Sequence, residues 1–263
     1  MSTEMKIDLK DELHSFNGLW RGGYFEGDPL DPMGVSGYGQ LGFVNTLYAT
    51  YLRCIKPYIN ANTVALEIGP GRGGWTKTML SAKEICVLDA LPEDHNGFRE
   101  YIGEQQNVKY FQVEDFLCGM LPNNHFDFMF SYGCLCHVSF EGIKEYAKNL
   151  YPKLKSNSNC FWMVADYEKY NSAMSNFSQL NVFNALLPKS LKYLPVRLIF
   201  SLLSKFSRRT AFLKDEDNIP RPGRWYNAGI ARTCEMLAEA GYRIIDSDVS
   251  TCLRDPVIHF QKL

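Results

Sequence analysis

Val64-Ala-Leu-Glu-Ile-Gly-Pro-Gly-Arg-Gly-Gly-Trp75 decides the fold: an apolar, β-branched run enters four closely spaced glycines and leaves toward a segment of helical spacing. Glycine lets the chain turn sharply and brings backbone amides against a ligand. The reading from this point is a strand over Thr63–Gly69, a helix over Gly74–Ser81 and a second strand over Ile85–Ala90. Further strands are expected at Val108–Val113, Phe126–Tyr132 and Asn159–Ala165, with helices near Asn96–Gly103 and Phe140–Leu154. Such alternation means an α/β protein whose sheet is parallel and crossed by helices.

Outward from this core, residues 11–40 are rich in Gly, Pro, Asp and aromatics and read as a structured loop, followed by a helix from Gly42 to Ile55. From Glu168 to Pro222 the strand-helix rhythm stops, and a segment of helical spacing with four prolines intervenes. A helix from Tyr226 to Ala240, stopped by Gly241, then leads to strands Tyr242–Val249 and Pro256–Lys262. Their short Ser250–Asp255 joint makes that last pair antiparallel. The expected organisation is a lid loop and helix over 1–61, a core over 62–167 and 223–263, and an inserted helical cap over 168–222.

Composition narrows the partners. With 46% hydrophobic and 22% charged residues and a net charge of -1, the chain has no global pull toward nucleic acid or a membrane surface. No stretch reaches the ~18 apolar residues of a spanning helix, and Met1–Lys10 lacks the apolar run of a signal peptide. Eight scattered cysteines without a Cys-x-x-Cys pair suggest reduced thiols and a cytoplasmic setting, and Cys134-x-Cys136-His137 has no second ligand pair at zinc-like spacing, so no metal is expected. Local charge is uneven: between Lys169 and Lys214 there is no Asp or Glu, while Lys189, Lys192, Arg197, Lys205, Arg208 and Arg209 are present. An anionic acceptor under the cap, a solvated basic face and peripheral contact with an anionic membrane all fit that pattern.

Spacing alone leaves the cofactor open, because Gly69, Gly71 and Gly74 also satisfy the G-x-G-x-x-G of a dinucleotide turn. Glu67 separates the two: a carboxylate beside the turn repels a pyrophosphate and attracts the sulfonium and ammonium groups of S-adenosyl-L-methionine. Asp89 is placed to accept from ribose hydroxyls, with Ala90 and Leu91 following it. Glu114, Asp115 and Phe116 follow the third strand, where a carboxylate can accept the adenine amino group and an aromatic can cover the ring.

The ordered set of Glu67–Gly73 with Gly69, Gly71 and Gly73, then Asp89, Asp115 and Ser131–His137, resembles class I S-adenosylmethionine-dependent methyltransferases over Asn62 to Leu263 apart from the cap. That resemblance implies a Rossmann-like sheet of seven strands, mostly parallel, closed by a C-terminal antiparallel hairpin, with S-adenosyl-L-homocysteine as product. It puts Ser131 and Tyr132 at the cofactor and His137 beside the methyl group, as base for a hydroxyl acceptor. A packed, non-catalytic His137 is the competing reading. The Gly22–Met33 run is similar to small-molecule O-methyltransferases of bacterial capsule biosynthesis, which modify sugars or phosphoramidate groups. Tyr24, Tyr38, Gln40, Asp166, Arg224, Trp225 and Tyr226 are the expected acceptor contacts. The alternatives are an NAD(P)-dependent oxidoreductase and a non-catalytic binding protein on the same fold. Nucleic acid is not expected as the acceptor.

Overall fold

The computed structural model describes residues 8–34, 45–179, 223, 225–252 and 254–263, with backbone alone for 174–179. Seven strands form one sheet: β1 (Val64–Ile68), β2 (Glu84–Asp89), β3 (Val108–Gln112), β4 (Phe126–Ser131), β5 (Leu154–Met163), β6 (Tyr242–Asp246) and β7 (Val257–Lys262). Their order is β3-β2-β1-β4-β5-β7-β6. β1 pairs parallel with β2 and β4, β2 with β3 and β4 with β5, whereas β7 runs antiparallel between β5 and β6. The mixed sheet and its closing hairpin are those expected from the sequence.

Every residue of β1 is buried, as a central strand covered on both faces requires. Because side chains alternate, Leu66, Ile68, Leu88, Met129 and Trp162 pack to one face. There they meet α3 (Phe140–Leu150) and α5 (Ile230–Glu239) through Ile143, Tyr146, Leu150, Met236 and Leu237. Ala65, Ile85, Val87, Phe128, Phe130 and Phe161 pack to the other face. They are covered by α1 (Thr46–Thr50) and α2 (Phe98–Ile102), with Leu47, Phe98 and Ile102 inserted. Both carbon-rich faces are thus closed, and the carboxyl ends of β1, β2 and β4 are left as the open rim.

Local chemistry accounts for the departures from expectation. The helix expected over Gly74–Ser81 is a four-residue 3₁₀ turn, Thr76–Met79. Thr78 donates its hydroxyl to the Trp75 carbonyl at 2.6 Å and Thr76 donates to Glu67, so two β-branched residues take local bonds that compete with a helical ladder. α1 passes into a π turn at Tyr51–Ile55, where Lys56 N–H reaches back five residues to the Tyr51 carbonyl. The helix expected from Tyr226 begins at Ile230, because Tyr226 N–H donates to the Cys136 carbonyl and Ala228 and Gly229 donate to Ala165. β5 starts five residues early, at Leu154, with Asn157 in a left-handed conformation opposite the register shift between Phe126 and Phe128. α4 (Tyr167–Gln179) opens the expected cap; 180–222 lie outside the described residues, as do Gly42–Val44 of the expected first helix.

Candidate active site

A cleft of about 960 Å³, its open mouth included, lies over the carboxyl ends of β1, β2 and β4. Its floor is the glycine turn. Gly69 has φ +71° and an added Cβ would stand 2.3 Å from both Cβ and Sγ of Cys134, so a side chain is excluded there. Gly71, at φ +53°, lets the Tyr24 carbonyl approach to 2.8 Å of where a Cβ would be. Gly73 serves a different end: its missing side chain makes room for Ile102 and Phe98 of α2, and it is not in the cleft wall.

Asp89 stands on the cleft wall at the end of β2, where its Oδ1 accepts from Leu91 N–H at 2.9 Å and its Oδ2 from Gly71 N–H at 3.2 Å. An ionised carboxylate has about four lone-pair directions, so both oxygens keep one for a ligand hydroxyl. Burial raises its pKa, and the Leu91 and Gly71 amides, the Asn96 side chain and the nearby His95 oppose that. Beside it, Asn96 lines the same cleft; its Oδ1 is buried with no hydrogen-bond partner among the described residues, while its Nδ2 donates to the Tyr110 hydroxyl at 2.9 Å. Ala90 and Leu91 complete this wall. Acceptor oxygens beside an apolar strip are what the ribose and purine of a nucleoside need, so the residues present fit S-adenosylmethionine.

Glu67 lies elsewhere than expected. It is buried under the turn, accepts the Thr76 hydroxyl at 2.6 Å and does not line the cleft. Loss of water pushes its pKa up to about 8, with the Thr76 bond lowering it and the Asp89 charge raising it further. Ser131 is likewise beneath the surface, donating to the Ile68 carbonyl at 3.0 Å and tying β4 to β1. Tyr132 does line the cleft, 4.7 Å from the Trp75 ring.

The residues after β3 depart from expectation. Phe116 packs edge-on against Tyr146 at 4.8 Å in the core, where an aromatic gains most from burial, so it does not cover a ligand ring. Glu114 and Asp115 are exposed, and Asp115 Oδ1 accepts from its own turn at Leu117 N–H, 2.8 Å away. None of the three lines the cleft.

On the opposite side, a 3₁₀ turn, Leu135–His137, carries His137 into the cleft, its ring 5.2 Å from that of Trp20. Tyr24 lines the same side, 41% exposed, and burial of its hydroxyl beside Glu26 raises its pKa to about 12. Leu13, Phe16, Trp20 and Glu26 of the N-terminal segment also line it, none of them singled out by the sequence reading. The segment is fastened at several points. Glu12 accepts from Ser139 N–H at 2.5 Å and from Ser139 Oγ at 2.6 Å, and His95 Nε2 sits 2.7 Å from the Leu19 carbonyl. The signal was the density of aromatics in residues 16–25, legible as a loop but not as a wall.

Asp166 is not a cleft residue: its Oδ1 accepts from Lys169 N–H at 2.6 Å and its Oδ2 from Ile230 N–H at 2.8 Å, capping α4 and α5 at once. Trp225 and Tyr226 are outside the cleft wall as well. Trp225 packs on Tyr167 and Tyr170 at 5.3 Å each and lies 4.9 Å under the Arg254 guanidinium. Tyr38, Gln40 and Arg224 lie outside the described residues. No helix among the described residues is long and apolar enough to cross a membrane.

Residues 66–162 match the family model described as a methyltransferase domain. Among solved structures, the chain is similar to one described as an S-adenosylmethionine-dependent methyltransferase from Listeria monocytogenes, at TM-score 0.52 and 14% identity over 82% of this chain and 97% of that one. It is similar also to an S-adenosylmethionine-dependent methyltransferase from Mesorhizobium loti, at TM-score 0.51 and 11% identity over 83% and 98%. At such identities these likenesses speak for the fold. A search of curated proteins finds no match. The domain match takes in the glycine turn, Asp89 and the strand before His137, and the fold around it is that of the solved S-adenosylmethionine-dependent methyltransferases.

Proposed function

We propose that the protein transfers the methyl group of S-adenosylmethionine to an oxygen of a small polar acceptor, with His137 as the base. The acceptor class we favour is a capsular sugar, a nucleotide sugar or an intermediate bearing phosphate or phosphoramidate. The observation that carries the reading is that His137 and Asp89 face one cleft across the glycine turn. The donor supplies a methyl carbon already activated by a positively charged sulfur, so the chain's task is alignment and proton removal. Asp89, oriented by the Gly71 and Leu91 amides, holds the nucleoside end. His137 takes the hydroxyl proton as the oxygen forms its new bond to carbon and the sulfur leaves as S-adenosylhomocysteine. The basic run between Lys189 and Arg209 would hold an anionic part of the acceptor beyond the transfer point. A cytoplasmic setting fits the eight cysteines, all free thiols.

Titration calorimetry with S-adenosylhomocysteine and with NAD(H) tests the cofactor; binding of NAD(H) alone would overturn the reading. Formation of S-adenosylhomocysteine over a panel of nucleotide sugars and sugar phosphates then tests the acceptor. His137→Ala should lower kcat by roughly 10²- to 10⁴-fold at saturating acceptor. Wild-type turnover in that variant would remove the base, and turnover with no acceptor of the panel would favour a binding role for the fold.

A further inference from the structure

Glu26 is a carboxylate without an internal task. It lines the cleft and is only partly exposed, yet it takes part in no hydrogen bond or ion pair among the described residues. Other carboxylates near the site have partners: Asp28 pairs with Lys77 at 3.4 Å, Asp255 with Arg254 at 2.5 Å, and Glu12, Glu67 and Asp89 accept the bonds described above. A half-desolvated carboxylate with no hydrogen-bond donor costs free energy, which a ligand donor recovers. Its charge acts on Tyr24, Tyr132, Cys136 and Asp255, which locates it on the side of the cleft carrying Tyr132 and the His137 turn.

The surroundings specify the donor. Among the described residues of the cleft wall there is no Lys or Arg, so an anion at this end would meet two carboxylates, Glu26 and Asp89, and no cation of the wall itself. A full cation is not called for either, because the Arg254 guanidinium lies near enough to oppose part of the Glu26 charge. What remains is an uncharged group rich in hydroxyls. Trp20, Tyr24 and Phe25, none of them buried, supply the flat apolar surface on which the C–H face of a sugar ring packs.

We propose that Glu26 is the acceptor-holding residue, accepting hydrogen bonds from neighbouring hydroxyls of an uncharged sugar ring laid against Tyr24 and Trp20, with the hydroxyl to be methylated turned toward His137. The inference rests on the methyltransferase reading and narrows it: any phosphate of the acceptor lies away from the transfer end. A carboxylate spans two adjacent hydroxyls at once, which fixes the ring's rotation as well as its position.

Saturation-transfer NMR on the full chain saturated with S-adenosylhomocysteine tests this. The probes are the methyl α-glycosides of glucose, galactose and mannose, with glucose 1-phosphate and ethanolamine alongside. At least one glycoside should receive saturation, and Glu26→Gln should weaken its binding roughly tenfold while S-adenosylhomocysteine affinity stays within about twofold. Saturation of ethanolamine alone, of glucose 1-phosphate alone or of no probe overturns the proposal, as does glycoside binding indifferent to Glu26→Gln. A parallel loss of S-adenosylhomocysteine binding in the variant would also overturn it, by making Glu26 part of the cofactor site. Failure of the unaltered chain to bind S-adenosylhomocysteine would instead remove the methyltransferase reading.

Discussion

The Thr76 hydroxyl donates to the Glu67 carboxylate across 2.6 Å in a space closed to solvent beneath the glycine turn. This bond couples the turn to the end of β1. Thr76→Val keeps the shape and removes the donor, leaving a buried carboxyl group unsatisfied. It should cost about 1–3 kcal/mol of stability in urea denaturation at pH 7.

The same carboxyl group gives a pH dependence of definite sign. Its folded-state pKa, about 8, lies above the ordinary value of 4.5, so the folded form binds the proton more tightly than the unfolded chain. Its contribution is fully present below pH 4.5 and is lost as pH rises toward 8. The melting-temperature difference between the unaltered protein and Glu67→Gln should therefore shift in favour of the variant over that window. A positively charged donor bound above the turn would favour the ionised form, so S-adenosylmethionine should bind more tightly at pH 8 than at pH 6. Glu67→Gln should flatten that slope in calorimetry.

Gly69→Ala should be poorly tolerated for two separable reasons: the left-handed φ of +71° and the 2.3 Å approach to Cys134. Cys134→Gly in the same chain removes the collision and leaves the strain. Thermal denaturation should then recover only part of the loss, with about 1–2 kcal/mol remaining.

Glu12 joins the N-terminal segment to the start of α3, because Ser139 both donates to it and caps the helix by accepting from Gly142 N–H at 3.1 Å. Glu12→Ala should free residues 12–27 without unfolding the sheet. Limited proteolysis should cut first in that stretch, and S-adenosylhomocysteine affinity should fall, since Leu13, Phe16 and Trp20 line the cleft.

Asp166→Ala discriminates a capping role from an acceptor contact. Removing a carboxylate that caps two helices should cost roughly 2 kcal/mol, at about 1 kcal/mol per cap. KM for any acceptor should not change, because the side chain is not in the cleft wall.

The glycine turn, Asp89 and the seven strands were legible because each rests on a local rule: apolar alternation, a residue type that permits positive φ, or a short joint that forces antiparallel return. Phe116 and Asp166 misled for one reason. A residue at the end of a strand is close to the rim in sequence, but the direction of its side chain is set by what packs beside it, Tyr146 in one case and two helix starts in the other. Glu26 carried no signal at all, being one acidic residue in a polar loop.

By itself, then, the order of residues determined a parallel sheet with a glycine turn at its first strand end and an acidic group at its second, since these depend on neighbours within about ten positions. Only the tertiary structure decided which carboxylates meet the cleft and which are buried with internal partners. Burial and hydrogen-bond satisfaction are set by contacts between segments far apart in the chain, such as Glu12 with Ser139 and Tyr24 with the turn at Gly71.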